Sequence, residues 1–133
     1  MLRERQMIGS SAFDVEERAL KLCEGRATLL AGNIANSSTP QYKARDFDFQ
    51  KAMKIASAQS GLATTNAKHL QAGNSVEGQS VGYRVPMQFS LDENTVDDEI
   101  ERKNFVQNAI KYQASLGFAQ NKMSNLMRAI KGE

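Results

Sequence analysis

One histidine, His69, and one cysteine, Cys23, are the only candidates in the sequence for a general base near neutral pH and a thiolate nucleophile. His69 follows Lys68 in a polar stretch with no cysteine or carboxylate close by, so it reads as a solvent-exposed loop residue. Cys23 falls on an apolar helical row and reads as a small core residue. A lone cysteine closes no intrachain disulfide, and one histidine with one cysteine does not build the usual zinc set. Asp46, Asp48 and the acidic run from Asp92 to Glu101 could supply paired carboxylates. Without accompanying histidines or a calcium-loop spacing they read as helix caps and solvated faces. The nine glycines make neither a phosphate-binding loop nor a dinucleotide fingerprint. The expectation is a protein that is not an enzyme, with no cofactor, no metal and no small-molecule substrate.

Lys43, Arg45, Lys51 and Lys54 cluster near Tyr42, Phe47 and Phe49, the chemistry of backbone contacts plus base stacking. Asp46 and Asp48 interrupt that cluster. Residues 37–91 carry six basic and three acidic side chains, the remainder of the chain is nearly balanced, and the net charge is +2. So weak a field argues against a nucleic-acid partner. Lys43 and Arg45, with the three aromatics, either make specific contacts to another subunit or simply pack and solvate a turn.

These residues must be positioned by a chain of 133 residues, 41% of them apolar, which has room for one ordinary domain. No segment approaches the roughly 18 apolar residues of a membrane span. The start, MLRERQMIGSSAF, lacks the apolar stretch of a cleaved secretory signal. A cytosolic protein and one exported without a cleaved signal both fit.

A first helix is expected from Ser11 to Asn36, with Ser11 and Asp14 as its capping pair. Phe13, Leu20, Cys23, Ala27, Leu30 and Ile34 occupy a and d positions of one heptad frame. Val15, Leu22 and Leu29 add a second apolar row, wider than a two-stranded coiled coil needs. That surplus fits either burial against a second neighbour or a helix inside a small bundle. Ser37 to Pro40 ends the helix. A short helix is expected from Asp48 to Ala58, with Phe49, Ala52, Met53 and Ala56 on its apolar side. Between Ser57 and Gly82, 15 of 26 residues are Ser, Gly, Asn, Gln or Thr, the composition of a flexible linker. Val81 to Leu91 partly alternates, and Pro86 limits it to an edge strand or extended arm.

The last element carries the most regular pattern. Phe105, Ala109, Tyr112, Leu116, Ala119, Met123, Leu126 and Ile130 follow unbroken steps of four and three, the spacing of a left-handed coiled coil. A helix from Val96 to Lys131 is expected, capped by Thr95 with Asp98, with acids at its start and Arg128 and Lys131 near its end. The expected fold is mainly α: long N- and C-terminal helices form an antiparallel, coiled-coil-like pair around a flexible middle with little or edge β structure. Residues 1–36, 37–94 and 95–133 are its three parts, within one structural unit.

The segment LAGNIANSSTPQYKARDFDF, Leu30 to Phe49, resembles the N-terminal motif of bacterial flagellar axial proteins, the family of rod and hook subunits. Asn33, Ile34, Ala35, Asn36, Thr39, Pro40, Tyr42 and Lys43 carry that likeness. TNAKHL, Thr65 to Leu70, and YRVPMQFSLDENTVDDEIER, Tyr83 to Arg102, are similar to segments of its short proximal rod members. Gln41 and Glu93 depart from the family pattern, which commonly places Gly at both sites. If either site requires a positive φ, the substitution adds strain or selects another turn.

The resemblance implies a structural subunit of the basal-body rod in the periplasmic space, exported through the flagellar type III apparatus without a cleaved signal. Its implied partners are other rod subunits, a rod-to-membrane-ring adaptor and the export apparatus, in homo- and hetero-oligomeric contacts that transmit torque. The expected assembly interface is Leu20, Leu22, Ala27, Leu29, Leu30 and Ile34 on the first helix with Phe105, Ala109, Tyr112, Leu116, Ala119, Met123, Leu126 and Ile130 on the last. The competing reading is a cytosolic helical adaptor or export chaperone that offers its apolar grooves to a client.

Overall fold

In the computed structural model, which describes residues 2–59 and 81–132 and the side chains of 13–57 and 81–132, three helices carry nearly all the regular structure. Helix α1 spans Leu2–Ala35, α2 spans Phe49–Gln59 and α3 spans Asp98–Lys131. The fold is mainly α. Two short strands, β1 (Arg45–Asp46) and β2 (Gly82–Tyr83), pair antiparallel with Arg45 opposite Tyr83. The linker expected over 57–82 falls largely on residues 60–80, outside the described residues, as does His69. Its first residues, Ser57 to Gln59, are the last turn of α2.

Helix α1 begins well before Ser11. Leu, Arg, Glu, Gln and Met in its first turns favour helix and no proline interrupts them, so Ser11 and Asp14 are interior residues rather than caps. Asp14 instead accepts from Arg18, one turn on, at 3.2 Å. At the other end the last turn tightens as the Asn36 N–H donates to both Gly32 and Asn33 carbonyls at 3.2 and 3.1 Å. The buried Asn94 amide then donates to the Asn36, Ser37 and Thr39 carbonyls, at 2.9–3.0 Å. A side chain 58 residues downstream thus satisfies carbonyls left over by the helix end.

Asp48 caps α2, its carboxylate accepting from the Gln50 and Lys51 N–H groups at 2.9 and 3.2 Å. The apolar face of α2 closes on the second row of α1. Leu22, Phe47 and Ala52 form a buried cluster, flanked by Leu29, Phe49 and Met53. Much of the surplus width of α1 is therefore covered within the chain, whereas Val15 at the same helical phase stays exposed.

The cap of α3 is Asp97, whose side chain accepts from the Ile100 N–H, and not Thr95 with Asp98. Thr95 is taken by the junction after α1: its hydroxyl accepts from the Ala44 N–H at 2.8 Å. Asp98 pairs with Arg102 one turn on. Gly132, in the left-handed region with φ 75°, closes the helix by donating to the Arg128 carbonyl. Contacts between Asn33 and Glu101, Cys23 and Asn108, and Glu16 and Lys122 run α1 and α3 antiparallel.

Candidate assembly interface

The face that α3 turns toward α1 is largely polar. Glu101 and Asn108 are its buried residues, at 0% and 2% exposure, and Asn104, Tyr112, Ser115, Ala119 and Lys122 are half-buried along the same stripe. Asn108 donates to the Cys23 carbonyl at 2.8 Å, while its own oxygen is buried with no hydrogen-bond partner among the described residues. Lys122 reaches Glu16 at 3.0 Å and lies 6.0 Å from the Phe13 ring centre.

The apolar seam of α3 shares Tyr112 and Ala119 with that stripe and otherwise sits one residue away, a turn of about 100° round the axis. Phe105, Ala109, Leu116, Met123, Leu126 and Ile130 are all exposed. Val106, Ile110, Phe118 and Met127 widen the bare band. On α1 the distribution is reversed. Leu22 and Leu30 are buried inside the chain, and Leu20, Ala27, Leu29 and Ile34 are half-buried.

Behind this surface lies a joint of charges that links α1, β1, the segment after β2 and α3. Asp46 on β1 accepts two hydrogen bonds from Arg26 of α1, at 3.0 and 2.9 Å, and one from Arg84 at 2.7 Å. Arg84, just after β2, also pairs with the buried Glu101 of α3. Two guanidinium groups and two carboxylates balance. Burial opposes ionisation of Asp46, but the hydrogen bonds and charge of Arg26, the Phe47 N–H and Arg84 outweigh it and hold its carboxyl below the usual carboxylate range. Hydrogen bonding to Asp46 correspondingly raises the Arg26 guanidinium.

Asn33 completes the joint. Fully buried, it donates to the Arg45 carbonyl at 2.8 Å and to Glu101 at 3.0 Å, and accepts from the Arg45 N–H at 3.1 Å. The residue of the sequence motif is thus a bracket that fixes β1 against α1 and α3. Its neighbours are spread out: Ile34 and Asn36 are half-buried, Ala35, Thr39 and Pro40 exposed. Half-buried Tyr42 points its hydroxyl at Asn33, and exposed Lys43 donates to the Glu93 carbonyl at 2.9 Å. Of the aromatics near them, Phe47 is spent on the core and Phe49 lies under Lys111, 5.1 Å from its ammonium.

Arg26, Arg84, Glu101, Asn94 and Asn108 escaped the sequence reading. Asp46 and Glu101, read there as a cap or solvated face, are ion-paired within the fold, Glu101 completely buried. No local pattern announces them, because residues 26, 46, 84 and 101 meet only once the helices have paired. Cys23 is buried, as its row predicts, and burial pushes its thiol up, away from thiolate chemistry. Among the described residues no three His, Cys, Asp or Glu side chains converge on a metal position, and no helix is long and apolar enough to cross a membrane.

No family model matches the chain. Relatives do. The flagellar basal body rod protein FlgB of Cereibacter sphaeroides is 45% identical over 119 residues, covering 90% of this chain and 93% of the relative. That of Aeromonas hydrophila is 43% identical over 125 residues, covering 92% and 94%. That of Salmonella typhimurium is 38% identical over 131 residues, with the same coverage. Identity of this order along nine-tenths of both chains shows the family, and the chain belongs to the flagellar basal body rod protein FlgB family.

Proposed function

We propose that this chain, a structural subunit of the flagellar basal body rod, enters the rod through the bare apolar band of α3. The observation that carries the reading is the division of labour on that helix. Its polar stripe is spent on α1, and most of its apolar stripe stays exposed, from 39% at Phe105 and 40% at Leu116 to 86% at Ile130. An apolar band of this length is costly to leave in water, and burying each half-exposed Leu or Met on a neighbour contributes on the order of 1 kcal/mol. Association entropy offsets part of that gain.

On this reading the subunit works without catalysis. Its partners are other rod subunits, with the ring adaptor and export apparatus met on the way, and its paired helices pass torque along the rod. Family membership disfavours the cytosolic adaptor or chaperone. Recovery of the protein with purified basal bodies separates the two, since a chaperone stays in the cytosolic fraction.

The test is the double variant Leu116→Asp, Met123→Asp. The two side chains are 40% and 51% exposed, so the chain is expected to stay helical and folded with a modestly lowered melting temperature while motility and recovery with basal bodies are lost. Normal incorporation of the folded double variant would refute the proposal.

A further inference from the structure

From Val81, just before β2, through β2 and on toward α3 the chain crosses the surface as an arm in which every second residue is apolar: Val81, Tyr83, Val85, Met87, Phe89 and Leu91. All six are exposed, Met87 at 90% and Phe89 at 98%. Isolated apolar residues on a surface need no explanation, but six in sequence register form a patch that marks an interaction site. The arm is tethered at both ends. The Arg84 N–H donates to the Ala44 carbonyl at 2.9 Å while its guanidinium enters the charged joint. At the far end the Gln41 N–H donates to the Asp92 carbonyl at 2.8 Å, and the Ser90 hydroxyl to the Asn94 carbonyl at 2.6 Å. Much of the ordering cost of a docking segment is thus met before a partner arrives.

A second bare surface lies at the other end of the molecule, where the last turns of α3 expose Leu126, Met127 and Ile130. The arm leads into the first turn of α3, about 40 Å away at 1.5 Å per residue, so one copy cannot lay its arm on its own patch. A second copy can. The charges match as well. The arm itself carries no acid, but the turn that closes it carries exposed Asp92 and Glu93, and the distal turns of α3 carry exposed Arg128 and Lys131. Opposite fields of this kind steer two surfaces together and fix their orientation.

We infer that the Val81–Leu91 arm of one copy seats on the distal face of α3 of a second copy, against Leu126, Met127 and Ile130. The inference rests on the reading of the chain as an assembling subunit and names a second copy as a partner. Because the two surfaces differ and lie at opposite ends, the contact is head-to-tail and does not close on itself.

Paired cysteines in the full chain test it. In a Cys23→Ser background, Phe89→Cys with Met127→Cys is oxidised with copper phenanthroline and read on a non-reducing gel. A ladder of covalent multimers is expected, against dimers at most from either cysteine alone. Adding Val85→Ser and Leu91→Ser is expected to weaken the ladder by roughly tenfold or more. Circular dichroism, unchanged by these exposed substitutions, controls for folding. Monomers or closed dimers only, or a ladder indifferent to the arm substitutions, overturns the contact, as does cross-linking that requires a different rod subunit. Incorporation of Leu116→Asp, Met123→Asp is read separately in basal bodies, so loss of the ladder alone removes the arm contact and leaves the rod reading standing.

Discussion

Gln41 and Glu93 are the two non-glycine residues with positive φ among those described, at 61° and 59°. They face each other across the junction: the Gln41 N–H donates to the Asp92 carbonyl, and Lys43 to that of Glu93. The backbone there needs the left-handed region, which costs an L side chain roughly 1–2 kcal/mol that glycine avoids. Glycine gives back about 0.5–1 kcal/mol through its freer unfolded chain. Gln41→Gly and Glu93→Gly are each expected to stabilise the protein by about 0.5–1 kcal/mol in thermal or urea unfolding. Equal or lower stability in both variants would show the turns unstrained. Asn33→Ala is expected to do the opposite. It leaves the buried Glu101 carboxylate and the part-buried Arg45 N–H and carbonyl short of a partner, and an orphaned buried group costs about 1–3 kcal/mol.

At the level of elements, the Arg26–Asp46–Arg84–Glu101 joint replaces the apolar seam that a coiled-coil pair would use. Removing one partner of a buried pair strands the other, at about 3–5 kcal/mol. Glu101→Gln should therefore destabilise far more than Lys122→Ala, whose ion pair is 41% exposed on the lysine side and worth about 1 kcal/mol at most. A urea titration of both variants measures the contrast. The joint also has an acid limb. Because the folded Asp46 carboxyl titrates below its unfolded value of about 3.9, its contribution is complete above that pH and is lost as pH falls through the folded pKa. Asp46→Asn should be less stable at neutral pH and lose less further stability below pH of about 4, seen in melts across an acid series.

Over the whole molecule, polar and apolar surfaces are sorted by destination. Polar groups hold the chain to itself, and apolar side chains along α3 and the arm point away from it. Leu116→Asp with Met123→Asp should lower the unfolding free energy of the monomer by about 1–2 kcal/mol, the lost helix propensity and partial burial of two half-exposed residues, which leaves the chain folded. The same pair is proposed to stop assembly. Electrostatic steering between Asp92 and Glu93, which close the arm, and Arg128 and Lys131 at the end of α3 adds a second signature. Raising salt to 1 M shrinks the screening length to about 3 Å, so self-association should slow while monomer stability changes little. Salt-independent association measured by light scattering would remove the charge argument.

Helix type, the heptad register of α3 and the Asn33 motif were legible in the residues, because a 3.6-residue period and proline punctuation act locally. So was the burial of Cys23 on its apolar row, and so was the positive-φ question at Gln41 and Glu93, posed by comparison with the family pattern. The true caps were not. Thr95 reads as a cap until the Ala44 N–H claims its hydroxyl, and Ser11 until the helix runs past it. Nor could periodicity say which stripe of α3 would face α1. That choice belongs to Arg84, Asn33 and Asn108, whose buried hydrogen bonds must be satisfied by residues up to 85 positions away. A pattern along the chain fixes which faces are apolar; only packing decides which of them the molecule keeps for itself, because unpaired polar groups cost more to bury than apolar ones cost to leave in water.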